Sequence, residues 1–599
     1  MTQNNGNFIL AIVLCIGVML GWQYFVIDPQ IAAQQAARKQ AEEAAKAGSD
    51  GSTNATPTYH NTPALNGDDA PAPIVKLTYS APNITDSPRL QIETPQLKGS
   101  IALMGARLDE LSLSQYPVSL GSEETVQLLS PENETNFWQA SYGWIGRGDV
   151  NSHLPAPDTI WQVETGDKLT PKSPVTLRYD AANGLIFRRH ISVDEQFMFT
   201  ISQSVENTTN KSVTLYPYGQ ITKRGVPDGA EIFVLHEGAV GVLGEEPGLL
   251  EIDYSDLIED PATKHEAKNG WLGLTDKFWA TALIPPQGET FQARLAGDTN
   301  NRNKTPTYRT DFLLNGQIID PGQTVTVESR LFAGAKKVDM IDGYEQSGIY
   351  KFDLLIDWGW FYFLTKPMFQ MLAYFYSLIG NYGVAILIVT VIIKLVFFPL
   401  ANKSYVTMAK MKKLSPEMTR IRENFADDKT RQQQELLKLY REEKLNPMAG
   451  CLPIFIQIPV FFSLYKVLYV TIDMRHQPFF GWIQDLSAPD PTSLFNLFGL
   501  LPFDPPQFLL LGIWPIIMGI TMFIQMQMNP PAPDPVQRKI FMFMPLIFTF
   551  LLASFPAGLV IYWAWNNILS VMQQGYIMRR NGASIELLSN LGFNKKKSD

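Results

Sequence analysis

A lysine stands where a lysine is expensive. Lys394 lies in the run NYGVAILIVTVIIKLVFFPLANK (381–403), among Ile393, Leu395, Val396 and Phe397. A cation in a stretch apolar enough to enter a bilayer must face a cavity, a partner or the headgroups. Thr390 precedes it by one helical turn, on the same face. Other polar side chains recur in the later apolar runs: Gln457 between Pro453 and Pro459, then Gln525, then the neighbours Asn566 and Asn567. In lipid each needs a hydrogen-bonding partner or water. Interhelical hydrogen bonding would satisfy them structurally. A wet groove within the bilayer, solvating polar segments in transit, would satisfy them functionally. Met518, Met522 and Met526 form a stripe that suits ordinary packing or an adaptable surface for varied apolar ligands.

Catalytic patterns are missing from the sequence. His236-Glu237 is not followed by a second His at zinc-protease spacing, and there is no G-x-S-x-G and no phosphate loop. The two cysteines, Cys15 and Cys451, fall in separate apolar runs, which supports neither a disulfide framework nor a metal site. Leu14 is too bulky for a lipoprotein cleavage site before Cys15. We expect no enzyme, no cofactor and no metal. The net charge of -9 argues against a nucleic-acid binder, but basic residues cluster in a few connections.

The elements that must position these residues follow in chain order. Residues 1–27 hold an apolar run without a basic start or a small-residue cleavage site, so an uncleaved transmembrane anchor is expected. Residues 28–88, rich in Ala, Gln, Gly, Ser, Pro and Asp, read as a flexible linker. Residues 89–340 alternate at the strand period. Runs 175–179 and 185–193 flank an Asn183-Gly184 turn, runs 197–205 and 212–218 flank Asn207-Thr-Thr-Asn210, and 271–274 and 278–284 read as buried strands. A large β-sandwich is expected there. Residues 349–380, aromatic and interrupted by Pro367, read as interfacial amphipathic helices.

The second span is 381–400. Residues 401–447 read as a helical hairpin, with Ser415 as cap and Pro416 in the first turn. Its basic residues, including Lys410, Lys412, Lys413, Arg420 and Arg422, form either a solvated face or a docking surface for an acidic or RNA-containing partner. Further spans are expected at 450–470, 508–528, 540–555 and 557–573. Between them lie a net-acidic loop (471–507) and a basic loop (529–539), and a basic tail (574–599) follows. The positive-inside rule places the hairpin, the basic loop and the tail in the cytoplasm. Six spans with both termini cytoplasmic then leave the β domain outside. The fold class is α+β: a polytopic α-helical membrane protein with a large extracytoplasmic β-sandwich.

Several motifs together carry a family resemblance. NPMAGCLPIFIQIP (446–459), Lys394 with Phe398-Pro399-Leu400, SYVTMAKMKKLSPE (404–417) and FPAGLVIYWAWNN (555–567) resemble the signature of the YidC/Oxa/Alb membrane protein insertases. The preceding domain looks like the periplasmic sandwich of the Gram-negative branch. The resemblance implies a five-helix insertase core with a hydrophilic groove open to cytoplasm and lipid but closed to the periplasm. It implies an inner-membrane insertase and chaperone, acting alone or with the Sec translocon. Nascent membrane proteins, the ribosome, the signal-recognition machinery and the lipid bilayer would be its partners, with no specific nucleic-acid sequence. It points to Lys394 as the groove charge and to Thr390, Tyr562 and Trp563 as substrate contacts; from the residue pattern above, Gln457, Gln525, Asn566, Met518 and Met522 are expected to join them. The groove cation of the family is often Arg; Lys keeps the charge without the bidentate fork. Many relatives have Tyr where Trp563 stands. A solute transporter or a glycan-binding envelope receptor is the alternative.

Overall fold

The computed structural model describes residues 87–131, 137–146, 153–226, 235–259, 262–299, 305–359, 361–426, 428–443, 452–499, 501, 511–529 and 535–582. The expected anchor at 1–27, nearly all of the linker and the tail beyond 582 lie outside these residues.

Strand-period alternation builds the first region. In Leu185–Val193, Leu185, Phe187, Ile191 and Val193 are buried while His190 is exposed, so one face of the strand is apolar and must be covered. Its partner, Val175–Asp180, returns through the expected turn. Gly184 adopts φ +84°, open to glycine without a Cβ clash, and the Asn183 side chain accepts the Leu185 N–H at 3.2 Å.

Two sheets result. One has eleven strands, running from Ala262–Ala267 at one edge through Val213–Arg224 to Lys168–Leu169 at the other; the second has nine, from Gly248–Asp253 through Thr324–Ala335 to Gln162–Thr165. Pairing is antiparallel except between Arg89–Glu93 and Lys168–Leu169. The sheets are joined through their shared core. The indole of Trp138 donates to Thr281 Oγ1 at 2.7 Å, and buried Arg189 donates to the Tyr142 carbonyl in the opposite sheet (2.5 Å) and to the Ala106 carbonyl in a turn at that sheet's end (2.6 Å). The strands on either side of Asn207 do not pair with each other. Met198–Asn207 belongs to the nine-stranded sheet and Val213–Arg224 to the eleven-stranded one, so the turn crosses the sandwich. Asn207 is fully buried and donates to the Lys211 and Ile319 carbonyls, which satisfies the crossing chain.

The described residues contain eleven α-helices: α1 (Tyr254–Glu259), α2 (Val338–Gln346), α3 (Tyr362–Ile379), α4 (Tyr382–Val396), α5 (Phe398–Lys413), α6 (Ser415–Asn424), α7 (Lys429–Glu442), α8 (Leu452–Val470), α9 (Ile513–Met528), α10 (Pro535–Leu551) and α11 (Ala557–Arg580). Several depart from the sequence reading. Pro367 does not break α3; it sits inside the helix, where it leaves only the carbonyl of Phe363, an exposed residue, without its partner. The run 381–400 is not one straight helix. It ends at Val396 and resumes at Phe398 with Pro399 in the first turn, and the two pieces meet at 68°. Ser415 is the first residue of α6 instead of its cap, because Leu414 keeps a helical backbone after α5. Arg538 and Lys539 fall within α10 and not in a loop.

No single helix among the described residues is long and apolar enough to cross a membrane by itself. The bent pair α4–α5 passes that test together, and shorter apolar helices cover Gln457–Val470, Ile513–Met528 and Lys539–Ser554. Helix α11 is long enough, but its polar residues dilute it, and they are the ones that build the site.

Candidate functional site

Helix α4 carries the cation and is fixed at its start. Asn381 caps it, accepting the Val384 N–H at 3.0 Å, and donates to the Phe479 carbonyl at 3.1 Å. Gly383 lies directly beneath the Phe479 ring, where a Cβ would collide with it. From there Tyr382, Ala385, Ile386, Val389 and Thr390 form the buried stripe, at helical spacing. Thr390 turns its hydroxyl back to the Ile386 carbonyl at 2.6 Å, which satisfies it within its own helix.

Helix α11 supplies the opposite wall. Its interior-facing row includes Tyr562, Asn566, Ser570 and Gln574, all buried. The Trp565 indole donates to the Leu387 carbonyl at 3.2 Å and ties α11 to α4. Asn567 faces the other way, toward Thr521 Oγ1 of α9 at 3.3 Å. Gln574 reaches the Met528 carbonyl and Asn529 Oδ1 at the end of α9, at 3.3 and 3.1 Å. Helix α11 is thus stitched to α4 by an indole and to α9 by side-chain amides.

Between α4, α5, α8 and α11 lies an open cleft. Thr390, Ile393, Lys394, Phe397, Ala401, Tyr405, Gln457, Val460, Tyr562, Asn566 and Gln573 line it. Lys394 Nζ donates to Ser570 Oγ at 2.8 Å, and the Ser570 hydroxyl donates in turn to the Asn566 backbone carbonyl at 2.7 Å. No charged group pairs with Lys394 among the described residues. The buried Asn566 Nδ2 has no hydrogen-bond partner among them either. The cleft therefore presents an unpaired ammonium and a spare amide donor in a largely apolar wall. Such a site attracts an acceptor-rich or anionic group and lowers the cost of bringing one out of water. No group of three or more metal-ligating side chains is found among the described residues.

Five residues singled out from the sequence meet in this cleft: Thr390, Lys394, Gln457, Tyr562 and Asn566. The others stand elsewhere. Met518 and Met522 are buried in a separate apolar cluster with Leu552, Val560 and Ala564. Trp563 packs against Phe461 (4.7 Å between ring centres) and Phe548 (5.7 Å). Gln525 is half-buried on α9, outside the cleft lining.

Sequence reasoning missed Ser570, Gln573, Ala401 and Tyr405. Ser570 was detectable one turn beyond Asn566, the same spacing that links Thr390 to Lys394. Ala401 and Tyr405 reach the cleft only because the chain bends after Val396. On the basic hairpin, Lys410, Lys413 and Arg420 are exposed and Lys412 and Arg422 half-exposed. Asp428 caps α7 through the Arg431 N–H at 3.0 Å, and Gln432 donates to the Arg422 carbonyl at 2.9 Å, which holds α6 against α7.

The helices are tied to the segment that follows the β-sandwich by ion pairs, mostly buried, that also escaped the sequence reading. Lys466 of α8 binds Asp357 at 2.5 Å, and Asp357 accepts the His236 N–H at 2.9 Å. Lys366 of α3 bridges Asp342 and Asp353, both at 3.0 Å. Those partners hold the Lys366 ammonium above its ordinary range despite partial burial.

The whole chain, sandwich and helices together, has full-length relatives. It is 50% identical over 617 residues to a membrane protein insertase YidC from Methylobacterium sp. (strain 4-46), covering 99% of this chain and 98% of the relative. The chain belongs to the YidC family. A second YidC, from Rhizobium meliloti (strain 1021), is 49% identical over 600 residues, covering 99% of each. The family model for the YidC periplasmic domain matches residues 89–371, and that for the 60Kd inner membrane protein matches 374–584. By family, the chain is an inner-membrane protein whose β-sandwich is periplasmic. A crystal structure of an active YidC insertase with its first transmembrane domain resolved aligns with 82% of this chain and 94% of that one, at 15% identity and a TM-score of 0.33.

Proposed function

We infer that this chain is a membrane protein insertase and chaperone that passes the polar end of an incoming protein through the cleft around Lys394. The observation that carries the mechanism is an ammonium with no carboxylate partner among the described residues, held by Ser570 in a cleft whose other lining residues are uncharged. A short, often acidic, substrate end enters the cleft and pairs with Lys394. Asn566 and Gln457 offer it further hydrogen bonds, and Thr390 and Tyr562 shape the wall. The adjoining apolar segment leaves sideways into lipid. Burying that segment drives the step, at about 25 cal/mol per Å² of apolar surface, and no nucleotide is consumed. The cleft's part is to lower the barrier, since an unpaired polar group moved into hydrocarbon costs about 4–8 kcal/mol. Trp563, Gln525, Met518 and Met522 act one layer behind, setting how α9 and α10 pack on α11.

The membrane topology belongs to the same proposal: six spans, both termini cytoplasmic, with the cleft facing cytoplasm and lipid. Exposed Ile540, Phe541, Phe543, Leu546, Ile547 and Phe550 on α10 support a lipid-facing helix. The basic hairpin, through Lys410, Lys412, Lys413, Arg420 and Arg422, receives the ribosome or the signal-recognition machinery, and the Sec translocon is a further partner. Depleting the protein from cells should block membrane integration of small single- and double-spanning proteins. Unchanged integration would overturn the assignment.

A further inference from the structure

A second cavity lies where the β-sandwich meets the start of α4 and the segment after α8. It is open to solvent, and Tyr116, Lys337, Tyr376, Tyr382, Asp473 and Arg475 are among its walls. Its depth is set by two helix ends. Tyr382 is the first residue of α4, and Asp473 follows closely on Val470, the last residue of α8. On the membrane reading above, on which this inference rests, that is the level of the periplasmic headgroups.

The wall chemistry is bipolar. The Asp473 carboxylate lies near the Val338 N–H at the start of α2, and its Oδ2 is buried without a hydrogen-bond partner. Burial pushes the Asp473 carboxyl up to about 6, with Lys337 opposing and Asp339 adding to the shift. Arg475 spends one nitrogen on the Pro117 and Val118 carbonyls (2.7 and 2.9 Å) and lies 5.5 Å over the Trp279 ring. Its remaining N–H groups and the Lys337 ammonium form the cationic side. Tyr376 and Tyr382, stacked at 3.9 Å, make a flat aromatic wall beside them. An unsatisfied carboxylate next to two cations and an aromatic face is the complement of a zwitterion that carries N–H donors and a phosphate.

We propose that this cavity binds the headgroup of an ethanolamine phospholipid from the periplasmic leaflet, its ammonium on Asp473 and its phosphate on Arg475 and Lys337. A choline headgroup has the same charges but no N–H to give Asp473, and a glycerol headgroup has no cation.

Native mass spectrometry of the purified full-length chain, offered ethanolamine, choline and glycerol phospholipids of identical acyl chains, tests this. The wild type should retain the ethanolamine lipid about tenfold over the choline lipid, the worth of one charge-assisted hydrogen bond. D473N, which keeps the side chain's size and removes its charge, should lose that preference. K337Q should weaken the ethanolamine and glycerol lipids alike. Equal retention of ethanolamine and choline lipids by the wild type overturns the proposal, as does an unchanged preference in D473N with an intact thermal transition. Displacement by free phosphoethanolamine at concentrations equal to the lipid overturns the lipid source in favour of a soluble zwitterion. Insertion by the same preparation, measured in parallel, separates the two readings: activity without lipid preference defeats the headgroup site alone.

Discussion

Neutralising Lys394 is the most informative single change. Its ammonium has one hydrogen-bond partner, Ser570, and no counter-charge among the described residues, so an arriving carboxylate would be its only ionic partner. At 4 Å and an effective dielectric of about 20, such a pair is worth about 4 kcal/mol. Desolvating the acid and fixing its rotamers offset part of this, leaving about 1–2 kcal/mol, or roughly 5–30-fold. The assay is insertion into liposomes containing the purified chain, read by protease protection. The substrates are single-spanning proteins whose translocated ends carry no acid, one acid or two. Lys394→Gln should leave the neutral end unaffected and slow acidic ends progressively. Lys394→Arg should restore them, and Lys394→Glu should be worse than Gln. Equal slowing of all three substrates by Lys394→Gln would refute the electrostatic role and leave Lys394 as a packing residue.

Two further outcomes follow from the joint between sandwich and helices. Lys466→Met strands the Asp357 carboxylate in a site where both side chains are mostly buried. It should cost about 3–5 kcal/mol, seen as a lower melting temperature in detergent, and the double change with Asp357→Asn should recover part of it. A melting temperature unaltered by Lys466→Met would contradict the clamp. Asp473 gives a pH dependence with a defined sign. Its carboxyl, raised to about 6 from 3.8, is easier to protonate in the fold than in the open chain. Its stabilising contribution is therefore complete below about pH 4 and is lost as pH rises through about 6, about 3 kcal/mol in all. Lys337, Asp339, Arg475 and His476 face or adjoin it. In lipid-free detergent D473N should flatten this part of the melting profile between pH 4.5 and 7.5; an unchanged profile would show that another group governs it.

Local pattern made much of the fold readable. Alternation at 185–193 and the Asn183-Gly184 turn are local signals, and the hairpin stands where they put it. The Asn207 turn shows the limit. Its flanking strands alternate as expected, but which sheet each joins depends on contacts with strands such as Thr324–Ala335 and Trp138–Gly146, far away in sequence. The same limit applies to the cleft. Lys394, Thr390, Gln457 and Asn566 were visible because polar groups are conspicuous in apolar runs. Ser570 was not, because small hydroxyls are common in helices and cheap to satisfy on their own carbonyls. Tyr405 and Ala401 depended on a 68° bend whose cause, Pro399 restarting the helix, could equally have ended it. The clamps Lys466–Asp357 and Lys366–Asp353 join residues whose sequence positions give no hint of pairing.

The central claim is that a substrate's polar end occupies the cleft during insertion. Site-specific photocrosslinking during the insertion of an arrested nascent chain tests it most directly. The probe is placed at Val460 in the cleft wall, with a control at Phe541 on the outer face of α10. The probe at Val460 should capture the short translocated end and the probe at Phe541 lipid alone. Capture of that end at Phe541 and not at Val460 would contradict it.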